Sequence, residues 1–154
     1  MVWLLRHQTR WLVERLLELR VLPAGQYAIE LLPTETWPVG EENRSREIRA
    51  DVVLRLWSGP VPEDPTLKEI RTSDVIGLIV DFQERRDRDK ELRLLEYDSA
   101  YPPVLGPRMC VVVLTLHQAV ARWMRRVFAR KQLSMQTCVL EPQQIPRSGP
   151  IDTE

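Results

Sequence analysis

A chain of 154 residues has room for one domain that buries a core without disulfide staples. Its 22 basic residues are matched by 22 acidic ones, which excludes a global attraction to nucleic acid or to an anionic membrane, so any polyanion must be met by a local patch. Cys110 and Cys138 lack C-x-x-C spacing and read as free thiols in a reducing compartment. Arg6, Arg10, Glu14 and Arg15 interrupt the apolar N-terminal residues, so neither a signal peptide nor a membrane span is expected, and the expected location is cytoplasmic.

Between Gln8 and Val21 the residues Leu12, Val13, Leu16, Leu17 and Leu19 recur at helical spacing, predicting a first helix that stops near Pro23-Ala-Gly25. Glu14 and Glu18 stand one turn apart on it; Glu14 is an accessory acid for a site, or both are solvated partners of neighbouring arginines. Gln26 to Leu32 alternates as a strand ended by Pro33, with Glu30 as an alternative site acid. Pro33 to Arg46 reads as a surface loop packed down by Trp37. Glu47, four residues before Asp51, shares its face if the segment is extended; it is either a further site acid or a surface partner of Arg46 or Arg49.

Asp51 opens a strand that runs to Trp57, with Val52, Leu54 and Leu56 alternating against Val53, Arg55 and Trp57. Ser58 to Asp74 reads as a connection, proline-rich and acidic from Pro60 to Asp64. Val75 to Gln83 is an almost unbroken apolar run ending in an acid and an amide, the pattern of a buried central strand that delivers polar groups to a site. Asp81 and Gln83 then share one face, about 7 Å apart along it, while Val80 and Phe82 face the other way. If the two strands pair as neighbours, Asp51 and Asp81 converge.

The charge-dense Glu84 to Lys90 offers Asp87 or Asp89 as an N-cap for a helix running to about Ala100, with Leu92, Leu94, Leu95 and Tyr97 on its buried side and Pro102-Pro103 as its stop. Met109 to Thr115 is a β-branched run and hence a buried strand. Val120, Trp123, Met124, Val127 and Phe128 follow the spacing of an amphipathic helix begun near His117. Its other face carries Arg122, Arg125, Arg126, Arg130 and Lys131 with no acid among them, a solvated face or a phosphate-contact surface. Met135 to Leu140 is the last strand. The domain is expected to span residues 1–141, with 142–154 a flexible tail. The order helix, three strands, helix, strand, helix, strand predicts an α/β sandwich, a mixed central sheet flanked by helices.

An acid opening one strand and Asp81-x-Gln83 closing the next resemble the PD-(D/E)xK nuclease superfamily, with Gln83 where its lysine usually stands. The ordered series Glu47-Ile-Arg-Ala-Asp51-Val-Val53, Ile79-Val-Asp-Phe-Gln-Glu-Arg-Arg-Asp-Arg-Asp-Lys90, Cys110-Val-Val-Val-Leu114 and Ala119-Val-Ala-Arg-Trp123 is similar to a bacterial family of uncharacterised proteins. That family is related to recombination-promoting, transposase-associated nucleases. Two departures are an aspartate, Asp81, in place of the family's glutamate, and a longer connection over 58–74.

The resemblance implies a restriction-endonuclease-like three-layer core and a metal-dependent endonuclease hydrolysing phosphodiester bonds of nucleic acid, DNA first. Asp51 and Asp81 would be the ligands of Mg²⁺ or Mn²⁺, joined by the Phe82 carbonyl. Gln83 would orient the attacking water, and Lys90, on the next helix, would supply the cation that the strand lacks. Arg122, Arg125 and Arg126 would meet phosphates. No membrane partner is expected, and a homodimer stays open. The alternative is a catalytically inactive nuclease-fold binding or regulatory module. A purely structural protein would instead hold Asp51 and Asp81 too far apart to share an ion.

Overall fold

In the computed structural model, which describes residues 9–32, 50–72, 74–131, 133 and 135–145, five strands form one mixed sheet. They are β1 (Ala28–Leu31), β2 (Val52–Trp57), β3 (Val75–Phe82), β4 (Met109–Leu114) and β5 (Gln136–Leu140), in spatial order β1-β2-β3-β4-β5. β1, β2 and β3 pair antiparallel, whereas β4 runs parallel to β3 and β5 parallel to β4. Parallel neighbours need long crossovers. The chain supplies them with α3 (Arg88–Ala100) and the short α4 (Pro102–Leu105) between β3 and β4, and with α5 (Gln118–Arg130) between β4 and β5.

Strand alternation sorts the core into two faces. Val53, Ile79, Val111, Val113 and Val139 pack with Leu94, Tyr97 and Tyr101 of the first crossover and with Val120, Met124 and Val127 of α5. Val52, Leu54, Leu56, Leu78, Val80, Cys110, Val112 and Leu114 pack with Leu12, Val13 and Leu16 of α1 (Thr9–Glu18). The result is a three-layer α/β architecture with helices on both faces, as the element order predicts. β2, β3 and β4 are apolar on both sides, as strands covered on both faces must be. No helix among the described residues is long and apolar enough to cross a membrane.

One close approach fixes the crossover. A Cβ on Gly77 would stand 2.4 Å from the Leu105 Cβ and 3.0 Å from its carbonyl oxygen, so glycine lets α4 lie directly on β3. Gly106, at φ 87°, then turns the chain out of α4 in a conformation that side chains disfavour.

Four local expectations are corrected. The connection after β2 contains a helix, α2 (Leu67–Thr72). Thr66 Oγ1 accepts the Glu69 N–H at 3.1 Å, and the Glu69 carboxylate returns to Thr66, a capping box whose T-x-x-E pattern was legible. Leu92 is 59% exposed because it sits two residues from Leu94, across the helix from the Leu94 and Tyr97 stripe. Leu19 is exposed because α1 ends at Glu18 and Arg20 turns away at φ 59°. The domain also outlasts residue 141. Pro142–Gln144 form a 3₁₀ turn closed by reciprocal Glu141 and Gln144 bonds, and it delivers Ile145, 5% exposed, to the α1 side of the core. The loop expected over 33–46, and the tail from 146 onward, lie outside the described residues.

Candidate metal site at the end of the central strands

β2 and β3 pair with Val52 opposite Val80, so one step further toward the sheet end Asp51 stands opposite Asp81. Directly opposed antiparallel positions place side chains on one face with Cβ atoms about 5 Å apart. The two acids interlock with each other's backbone. The Asp51 N–H donates to Asp81 Oδ1 at 3.2 Å, and the Phe82 N–H donates to Asp51 Oδ2 at 2.9 Å. Each side chain therefore caps the strand opposite, at the point where the ladder ends. Asp81 is fully buried, whereas Asp51 is half-buried at the strand mouth.

Gln83 follows on the Asp81 face, 4% exposed. Its N–H extends the parallel pairing to the Leu114 carbonyl at 2.8 Å, and its Nε2 donates to the Arg85 carbonyl at 2.6 Å. Its Oε1 is buried with no hydrogen-bond partner among the described residues. A buried amide oxygen left this way calls for a small donor such as water.

Helix α3 and the residue that caps its C-terminus contribute two tyrosines that sequence reading did not assign to the site. The Tyr97 hydroxyl is buried with no hydrogen-bond partner among the described residues. Burial, then the Asp81 charge, pushes its pKa far above the ordinary phenol value. Tyr101, one turn on, accepts the Ala50 N–H on its hydroxyl oxygen at 3.2 Å. The two rings meet edge to face, centroids 5.6 Å apart at 71°.

Of the other expected acids, Glu14 and Glu30 are not gathered there. Glu14 is exposed on α1, the helix that covers the opposite face of the sheet, because Leu12, Val13 and Leu16 turn inward. Glu47 lies outside the described residues. Lys90 stands in the first turn of α3, which Asp87 caps by accepting the Asp89 N–H at 2.9 Å, but its side chain is outside what is described. Glu30, the alternative acid, is consumed by structure: it takes Arg55 through two oxygens at 2.8 and 2.9 Å and Trp57 Nε1 at 2.9 Å. Among the described residues no group of three or more His, Cys, Asp or Glu gathers, and Asp51 and Asp81 are the carboxylates described there.

The basic face of α5 is less one-signed than its sequence. Arg125 is ion-paired with Glu141, which follows β5, and also donates to the Val139 carbonyl at 3.4 Å. The Arg125 hydrogen bond holds the Glu141 carboxyl below its usual range. Arg122 and Arg126 remain exposed. A cleft of about 320 Å³ at the opposite end of the sheet is lined by Tyr27, Ser58, Asp74 and Arg108, whose polar groups are already engaged: Arg108 meets Asp74 at 2.7 Å, Ser58 Oγ meets it at 2.9 Å, and the Tyr27 hydroxyl donates to the Pro23 carbonyl at 2.8 Å.

The donor set suits a hard divalent cation. Carboxylate oxygens are what Mg²⁺ and Mn²⁺ take, with waters completing the shell. Asp81 fits as the buried ligand and Asp51 as the ligand facing solvent. The chain matches no protein-family model, no curated protein and no solved structure.

Proposed function

We propose that the protein is a metal-dependent phosphodiesterase acting on nucleic acid, DNA first, organised as the PD-(D/E)xK resemblance implies. One observation carries the reading: Asp51 and Asp81, thirty residues apart in sequence, oppose each other at the sheet end with Gln83 on the same face. Two like charges held together in a partly buried position disfavour folding unless a cation compensates them.

Asp51 and Asp81 would hold Mg²⁺ or Mn²⁺, which when bound neutralises phosphate charge and lowers the pKa of a water. Asp81, fixed by burial, keeps one donor position constant, and Asp51 presents the other to substrate. Gln83 Oε1 would accept a hydrogen bond from the attacking water and so orient it, but contributes no charge. Lys90, together with Arg122 and Arg126, carries the positive charge that would meet the phosphodiester.

The test is calorimetric titration of Mn²⁺ into the wild type and into Asp51→Ala, alongside cleavage assays on single- and double-stranded DNA and RNA. Binding and cleavage should both fall in Asp51→Ala and in Asp81→Ala. Cleavage that survives both substitutions would locate the chemistry elsewhere. A second reading, a nuclease fold that binds without cutting, is favoured by the Gln83 amide being committed to the Arg85 carbonyl. Nucleic-acid binding with neither metal affinity nor cleavage would select it.

A further inference from the structure

We propose that Tyr101 is a positioning residue for Asp51, acting through the Ala50 amide. The proposal rests on Asp51 and Asp81 being the ion site.

Ala50 and Asp51 lead into β2 ahead of its first ladder pair, Val52 with Val80. Both of their N–H groups go to side chains: Ala50 to Tyr101 Oη and Asp51 to Asp81 Oδ1, each at 3.2 Å. The backbone that carries Asp51 is thus located by two side chains. Ala50 is 7% exposed, so its N–H has little access to water as a substitute partner.

Tyr101 is itself tightly placed. It caps α3 through its N–H to the Tyr97 carbonyl at 3.2 Å, and its own carbonyl accepts the Val104 and Leu105 N–H groups at 2.9 Å, starting α4. Leu105 in turn lies on Gly77 of β3. The contacts form a closed ring, from Gly77 through Leu105, Tyr101, Ala50 and Asp51 to Asp81, and so back to β3. Both tyrosines are fully buried, yet phenylalanine would fill the same volume. What Tyr101 adds over phenylalanine is the hydroxyl oxygen that accepts the Ala50 N–H.

The experiment compares wild type with Tyr101→Phe, Tyr97→Phe and, as a control, Trp57→Phe, which loses the indole bond to Glu30 at the other end of β2. Two quantities are read: amide hydrogen exchange at Asp51 and Phe82 without metal, and Mn²⁺ affinity by calorimetry. Tyr101→Phe should lower protection at both amides about tenfold and Mn²⁺ affinity by a similar factor, the usual effect of removing a group that orients a ligand. Trp57→Phe should leave both unchanged, although it destabilises the fold. Wild-type protection and affinity in Tyr101→Phe would overturn the proposal, as would equal losses in the Trp57 control. If the wild type takes up no Mn²⁺ while Tyr101→Phe still loses protection, the ion-site reading falls and the positioning role stands. Tyr97→Phe, which removes a hydroxyl that makes no hydrogen bond among the described residues, is a second control and should keep wild-type protection. Should Tyr101→Phe fail to fold, exchange at the wild-type Ala50 amide carries the test, and exchange there at the rate of a free amide would overturn the proposal.

Discussion

If the acid pair exists to hold an ion, neutralising one member should not harm the metal-free fold. Two carboxylates whose Cβ atoms stand about 5 Å apart repel, for charges at a similar separation, by about 3 kcal/mol at an effective dielectric constant near 20. Solvent at the half-buried Asp51 reduces this to about 1–2 kcal/mol. Asp51→Asn removes that repulsion but keeps an oxygen for the Phe82 N–H, exchanging a charged acceptor for a neutral one at a loss of about 1 kcal/mol. The metal-free Asn variant should therefore equal or exceed the wild type by up to about 1 kcal/mol, or about 2–4 °C in Tm. Asp51→Ala also leaves the Phe82 N–H without its acceptor, costing about 1–3 kcal/mol, and should melt below the Asn variant. With Mn²⁺ at a hundred times its Kd the wild type should gain about 2.7 kcal/mol, reversing the order. Thermal unfolding followed by circular dichroism, in EDTA and in Mn²⁺, reads all of these. An Asn variant as unstable as the Ala variant in EDTA would mean that the Asp51 charge is compensated within the protein, and that the pair is structural.

At Gln83, a lysine should preserve or raise cleavage, since it adds charge on the same face, while Gln83→Leu should slow cleavage about tenfold or more with Mn²⁺ affinity nearly intact; turnover measured beside calorimetry checks both. Converting Arg122 and Arg126 to glutamine should reduce the salt slope of nucleic-acid binding by about 1.8, two phosphates' worth, whereas adding Arg125→Gln should change it less, because Arg125 is held by Glu141. A slope unchanged in the double variant would show that face to be merely solvated. Burial, with Cys138 adding, pushes the Cys110 thiol up to about 12, so Cys110 should resist thiol reagents at pH 8 until the protein unfolds. Its folded pKa exceeds the unfolded one, so its contribution to stability is complete below the ordinary thiol pKa and is lost as pH rises toward about 12. Rapid labelling of Cys110 in the native protein would contradict its placement inside β4.

The sequence by itself determined what periodicity can encode. The apolar run from Val75 with its terminal Asp81 and Gln83, the alternation after Asp51 and the Val120 to Val127 stripe each dictate an element and the face it buries, because side-chain direction follows from local backbone geometry. That was enough to place Asp51, Asp81 and Gln83 on one side of neighbouring strands. The order of the elements also predicted a mixed sheet flanked by helices. The tertiary structure decided which groups meet across long separations. Tyr101 reaches Ala50 over fifty-one residues, and Arg125 finds Glu141, so a helix face that is wholly basic in sequence is partly neutralised in space. Glu14 and Glu30 were further candidate acids on the chain, yet packing turned one to solvent on the far layer and gave the other to Arg55. Periodicity specifies a direction for each side chain, but its partner depends on how the layers stack, and no local pattern carries that.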